Sequence, residues 1–475
     1  MSAREDTPLL RKALSFSTPF DPTKRPRLPT PVSSPTLPQI NEPRPIVPPS
    51  VPPALRRRQS AVSTKSVTYH YGGKSTFGQT LFNSIAILLG IGMLSEPLAF
   101  AYAGWGAGTL LIISYGFISC YTAKILARII LSDPRLRSYS DIGRKAFGPR
   151  STVFISIMFC LELFAVSVIL VTLYADSLHS IIPEYSSDAY KVCGLALLIP
   201  TVFLPLSLLS YTSILGIIST MFIVVVIVID GFNKKEAPGS FWEPAETSFG
   251  IASMNKLGIA FGLFMAGFSG HAVIPSLARD MKDPSQFDRM INWAFVIATL
   301  VYTLIGWAGY AMFGSSVSEE ISMDLLSTPG YDPNLNLAAL WMLVISPLSK
   351  FALTTQPLNA TLEILLGVDS LSSTTDARKS LDGCKPGGCF KQVVSTIQRL
   401  CMTILAVAVS ICVPQFSAMM AFLGSFSAFL LCVIGPITAK IALEGRCNRF
   451  DGFVLIIASI MAGWGTYAAF IAAEE

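Results

Sequence analysis

From residue 79 onward the chain alternates long apolar runs with short polar stretches. A helix that crosses a bilayer needs roughly 20 mainly apolar residues. By that measure eleven spans are predicted, at about 79–102, 106–131, 152–180, 191–210, 213–232, 256–280, 289–313, 335–362, 393–413, 416–440 and 452–472. A short turn near Tyr211 joins the fourth and fifth, and the sixth and eighth are the least uniformly apolar. The first 60 residues differ: they hold 14 of the 31 prolines, no apolar run and no pattern of a cleavable signal. Such a segment cannot bury enough surface to fold. Residues 1–74 are therefore predicted to be a disordered cytosolic tail, and 75–475 a transmembrane domain.

Two of the spans spoil their own helices. The first contains "GIGMLSEPLAFAYAGW", with Gly90, Gly92, Glu96, Pro97 and Gly104; the sixth contains "FMAGFSGHAVIPSLARDM", with Gly267, Gly270, His271 and Pro275. Backbone N–H and C=O groups cannot go unpaired in hydrocarbon, so a break at membrane depth has to face protein or a watery cavity. One such helix is read more readily as a tight packing face. Two breaks five spans apart point instead to an inverted repeat of five plus five helices, with a binding site where the interrupted helices meet and the eleventh span added. The predicted fold is thus an all-α polytopic membrane protein with a LeuT-like arrangement, inferred from the positions of the breaks alone.

Exposed N–H groups and half-helix amino termini suit a carboxylate, while freed carbonyls suit an ammonium or a small cation. An α-amino acid presents both. The predicted substrate-binding residues are Gly90, Ile91, Gly92, Met93 and Leu94 in the first break and Gly267, Phe268, Ser269 and Gly270 in the second, with Thr354 and Thr355 as weaker candidates.

Lys and Arg set the orientation. They collect at Arg56, Arg57, Arg58, Lys65 and Lys74, and in the loops after the second, sixth, eighth and tenth spans. The 314–336 loop carries none, but holds Glu319, Glu320, Asp324 and Asp332. This alternation predicts a cytosolic amino terminus and a carboxyl terminus in a lumen or outside. Composition agrees, with 52% hydrophobic and 14% charged residues, too little charge to cover a soluble surface. The net charge of +5 is spread over short loops and does not suggest nucleic acid. Membrane lipid is the expected environment. No metal-ligand cluster, nucleophile elbow or phosphate loop stands out, and the chain has three histidines, so no enzyme, metal or cofactor is expected.

Three stretches resemble the amino acid/auxin permease family, and within it the fungal vacuolar amino-acid transporters related to vesicular inhibitory amino-acid transporters. They are "FNSIAILLGIGMLSEPLAFAYAGW", "DPRLRSYSDIGRKAFG" and "GFSGHAVIPSLARDMKDP", with weaker support from "GYAMFG"; the resemblance covers about residues 75–475. It implies an eleven-span transporter that exchanges neutral amino acids for protons across the vacuolar membrane. Glu96 departs from the pattern, standing where a small or apolar residue is expected.

Ionisable groups inside spans are functional candidates by default. An unperturbed histidine titrates between a neutral cytosol and an acidic vacuole, so His271 is read as a proton carrier, or as a side chain that only bonds across helices. Glu96 is read as a proton carrier, as a guard against anionic substrates, or as a helix cap. Glu162, deep in the third span, either pairs or protonates. Lys350 stands in for a cation, pairs with an acid, or reaches cavity water. In the tail, "EDTPLL" matches an acidic dileucine sorting signal through Glu5, Leu9 and Leu10, which implies an adaptor-coat partner; "RRRQS" reads as a kinase site or as a basic patch beside the membrane. The alternatives to antiport are export by proton symport and an amino-acid sensor signalling through its tail.

Overall fold

A computed structural model of the chain describes residues 73–203, 206–366 and 386–474. The sorting motif at Glu5, Leu9 and Leu10 and the "RRRQS" stretch lie outside the described residues. The described chain is helical, with one isolated bridge, Ser75 to Met281. Its helices are α1 (Phe77–Leu88), α2 (Glu96–Ser132), α3 (Tyr139–Phe147), α4 (Arg150–Ile181), α5 (Ser187–Val202), α6 (Leu206–Asn233), α7 (Met254–Gly267), α8 (Ile274–Asp280), α9 (Phe287–Phe313), α10 (Ile321–Ser327), α11 (Pro333–Leu365), α12 (Pro386–Cys412), α13 (Phe416–Phe422), α14 (Gly435–Glu444) and α15 (Arg449–Glu474).

Among the described residues, eight helices are long and apolar enough to cross a membrane. The chain is a multi-pass membrane protein. The predicted spans that fall short do so for visible reasons. The first is divided between α1, 12 residues long, and the run from Ile91 into α2. The fourth is α5, 16 residues. The sixth is split into α7 and α8, 14 and 7 residues.

Local chemistry sets these boundaries. Thr76 and Gln79 form a reciprocal capping box that starts α1. Ser253 caps α7, accepting from the Lys256 N–H at 3.2 Å. The boundary between the first and second predicted spans is Gly104, where φ is +73° inside the otherwise helical 96–132 run. A Cβ there would lie 2.1 Å from the Gly250 carbonyl oxygen, so only glycine fits both the dihedral and the space. Between α13 and α14 the chain winds as a π-helix over Leu423–Ile434, and Gly424 in it packs directly on α7: a Cβ would lie 1.8 Å from the Gly262 carbonyl oxygen. The core is formed by α2 against α7 and α9, and by α4 against α11.

The basic loops meet on one face. The Ser75 N–H donates to the Asp280 carbonyl at 2.9 Å and the Lys282 N–H to the Ser75 carbonyl at 2.8 Å, which ties the start of α1 to the end of α8. Arg279 donates to the Leu136 carbonyl at 2.7 Å. Asp133 pairs with Lys145 at 3.2 Å, and its carboxyl sits below the usual carboxylate range because the Arg135 N–H donates to it and Lys145 adds to the effect.

Candidate functional site

The two breaks touch. The α1 ladder closes with the Leu89 N–H on the Ile85 carbonyl, Gly90 is extended, and a 3-10 turn over Ile91–Ser95 leads into α2, where Pro97 occupies the first turn. On the other side α7 ends at Gly267, and φ at Gly270 is +138° before α8 resumes at Ile274. Gly92 lies on Gly267: a Cβ at Gly92 would be 2.8 Å from Gly267 Cα and 2.9 Å from its N. Only bare backbone permits that approach.

Tyr302 of α9, fully buried, joins the two broken ends. Its hydroxyl lies within donating distance of the Leu88 carbonyl and, at 2.7 Å, of the Gly267 carbonyl. A buried carbonyl freed at a helix end needs such a donor. Sequence reading missed this residue; the available signal was a single tyrosine in the middle of an apolar span.

A cavity of about 520 Å³ opens between the breaks, α4 and α11. Its walls include Ile87 and Leu88 of α1, Val273 before α8, and Leu353, Thr354 and Pro357 of α11, all on the basic-loop side of the breaks. On the opposite side α10 covers the turn. Gly309 brings the pieces together: a Cβ there would lie 2.3 Å from Ile321 Cδ1 and 2.5 Å from Pro97 Cγ. Beside α10, Glu320 is buried, with Oε1 lacking a partner among the described residues and Oε2 accepting from Ser322 at 3.3 Å. Burial, and after it the charge of Asp176, pushes the Glu320 carboxyl well above its ordinary range. Burial also raises Asp324, although Ser318 donates to it through both N–H and hydroxyl, at 3.0 and 2.6 Å.

The predicted binding residues divide. Gly90, Ile91, Gly92, Gly267 and Ser269 line the cavity, as does Thr354. Met93 and Leu94 line a small recess behind it, next to α6. Phe268 does not reach the cavity. It falls on the far side of the α7 turn, stacked on Phe295 with ring centroids 6.4 Å apart and edge-on to Tyr302 at 5.3 Å. Gly270 likewise lies off the wall, and Thr355 turns inward to the Phe351 carbonyl at 2.9 Å.

The candidate proton groups lie behind the wall rather than on it. His271 is buried; its Nε2 sits 3.0 Å from both Thr122 Oγ1 and the Ser119 carbonyl of α2, and Nδ1 has no partner among the described residues. Glu162 sits within electrostatic reach of Tyr139 and Cys432. Glu96 is fully buried between the breaks and α9, and its Oε1 would lie 2.9 Å from a Cβ at Gly267. Neither of its carboxyl oxygens has a hydrogen-bond partner among the described residues: the acid stands in the first turn of α2, but its side chain caps no N–H group there.

A helical membrane domain with two interrupted helices meeting at a central cavity defines a transporter class. The chain matches the family described as "Transmembrane amino acid transporter protein" over residues 73–470, and it belongs to that family of transporters. It is similar to the amino acid transporter AVT1D of Arabidopsis thaliana, 27% identical over 460 residues, covering 92% of this chain and 77% of that one. It is also similar to AVT1E of the same plant, 28% identical over 416 residues, covering 83% and 73%. Among solved structures it shares its fold with a substrate-bound, outward-open Na+-coupled sialic acid symporter (TM-score 0.51, 14% identity, covering 86% of this chain and 91% of that one). It also shares it with Mhp1, a nucleobase-cation-symport-1 family transporter (TM-score 0.50, 12% identity, covering 86% and 92%).

Proposed function

We propose that the protein moves neutral amino acids across the vacuolar membrane, into the vacuole, by exchange for protons. The observation that carries this reading is the meeting of the two breaks, Gly92 on Gly267, at the wall of a cavity large enough for an amino acid. In this reading the chain has eleven spans in a LeuT-like five-plus-five repeat, α1 with the start of α2 corresponding to α7 with α8. The basic loops face the cytosol, and the Glu320 side faces the lumen. Peptide N–H groups of the first break receive the carboxylate, and carbonyls at the broken ends receive the ammonium. The apolar side walls then accept an uncharged side chain.

Glu96 is the proton group in this scheme. Its Oε1 lies against Gly267 and neither oxygen has a partner among the described residues, so its charge state and the spacing of the breaks act on each other. His271, within the second break, and Glu162, on α4, serve as positioning groups. The test is uptake of a neutral amino acid by purified protein in liposomes under imposed pH or sodium gradients. Accumulation driven by pH alone is expected. Accumulation that needs sodium and ignores pH would refute proton exchange, and no amino-acid flux under any gradient would refute the function.

A further inference from the structure

Lys350 is the one cationic side chain on the cavity wall among the described residues. It projects from α11 toward the first break, and with Gly90 and Ile91 it lines both the main cavity and the small recess beside it. Helix α6 is cut away to let it pass: a Cβ at Gly216 would lie 2.5 Å from Lys350 Cε and 3.4 Å from its Nζ. The stem therefore crosses bare backbone, and the ammonium lies over Gly216, in the recess that Gly90 and Ile91 also line.

Nothing described balances that charge. None of the ion pairs among the described residues includes Lys350. No Asp or Glu among the described residues lines the cavity. The adjoining α6 stretch at 206–215 contains no acid. An ammonium in a low-dielectric wall without a counter-charge is costly, and such a group marks a place for an anion. The first N–H groups of a 3-10 turn have no partner inside the turn, and here they belong to Ile91 and Gly92. An anionic group placed between Lys350 and that turn meets a full charge and peptide donors together.

We infer that Lys350 anchors the α-carboxylate of the transported amino acid, and that the cavity selects uncharged side chains over cationic ones because no acid on its wall offsets a second positive charge. This rests on the amino-acid transport reading above. The carboxylate bridges the Lys350 ammonium and the N–H groups at the start of the turn, and the side chain lies along Ile87, Leu163 and Leu170.

The experiment uses the full chain in liposomes, with labelled leucine as substrate and unlabelled leucine, leucinamide and lysine as competitors. Leucinamide keeps the side chain and the amine but lacks the carboxylate. Wild-type protein is expected to prefer leucine strongly over both competitors. Lys350→Met should weaken leucine by roughly ten- to a hundredfold, the range for a hydrogen bond to a charged group. It should leave leucinamide nearly unchanged, so the preference between them collapses; Lys350→Arg should retain part of it. A Lys350→Met protein that keeps the wild-type leucine-to-leucinamide ratio overturns the inference. Should that variant fail to fold, Lys350→Gln measured in the same way decides, with the same two outcomes. Wild-type protein that carries leucine without preferring it over leucinamide also overturns the inference, while wild-type protein that carries no amino acid refutes the underlying function instead.

Discussion

Gly92 and Gly90 stand two residues apart in the same break, yet the structure assigns them opposite tolerances. In Gly92→Ala the new methyl would lie 2.8 Å from Gly267 Cα, short of an ordinary 3.4 Å contact by about 0.6 Å, and 2.9 Å from Gly267 N. Both obstacles are backbone, so no rotamer change relieves the clash; the two breaks have to separate. Overpacking of this kind costs typically about 1–3 kcal/mol, which corresponds to roughly a five- to 150-fold loss of the arrangement that holds the cavity together. In Gly90→Ala the nearest atom is the Leu88 carbonyl oxygen at 3.8 Å, and the φ of −103° is open to any residue. Its cost is expected to be near zero. The assay is thermal unfolding of each purified variant together with initial uptake rates in liposomes. Gly92→Ala should melt lower and transport far more slowly, whereas Gly90→Ala should melt like wild type and change at most the apparent KM. Equal behaviour of the two variants would refute the claim that the breaks are held in backbone contact.

Tyr302→Phe removes the donor shared by the Leu88 and Gly267 carbonyls, and an orphaned buried acceptor costs about 1–3 kcal/mol; melting should fall and uptake slow, and an unchanged protein would reduce Tyr302 to a space filler. Glu96→Gln keeps the volume of a fully buried group and removes its proton chemistry, so counterflow exchange of leucine should persist while pH-driven accumulation drops at least about tenfold, a change worth about 1.4 kcal/mol. Accumulation intact in that variant, and lost in His271→Ala, would move the proton to the histidine. Glu320 gives a pH prediction outside the spans. Its folded-state pKa lies above the ordinary 4.5, so over the interval between the two values the folded protein holds a proton that the unfolded chain lacks. Stability at α10 is then full below the ordinary value and is lost as pH rises through the folded one. The protection of the α10 amides, exchange divided by its intrinsic rate at each pH, should fall from acid to neutral pH in wild type and stay level in Glu320→Gln; matching profiles would show that another group is responsible.

The interruption of two helices was legible from Gly90, Gly92, Pro97, Gly267 and Gly270 because backbone chemistry in hydrocarbon is a local constraint, readable from residue type and spacing. The caps at Thr76 and Ser253 are local in the same sense. The boundary between the first two spans, read between 102 and 106, falls at Gly104, where φ is positive and the Gly250 carbonyl of a distant loop leaves no room for a Cβ. Which side of each broken turn faces the cavity was not legible. Phe268 and Ser269 are neighbours in sequence, yet Ser269 lines the cavity and Phe268 packs on Phe295 and Tyr302.

The sequence by itself determined a membrane protein whose first and sixth spans cannot remain intact helices, since the run of apolar residues sets span length and the glycines and prolines within it set where the ladder fails. Only the tertiary structure decided that those failures meet, that Tyr302 from α9 joins them, that Glu96 is left without a partner behind the wall, and that Lys350 reaches the first break across Gly216. Each of these depends on contacts between residues far apart in the chain, and such contacts follow from how the helices pack, which no local pattern of apolar and polar positions encodes.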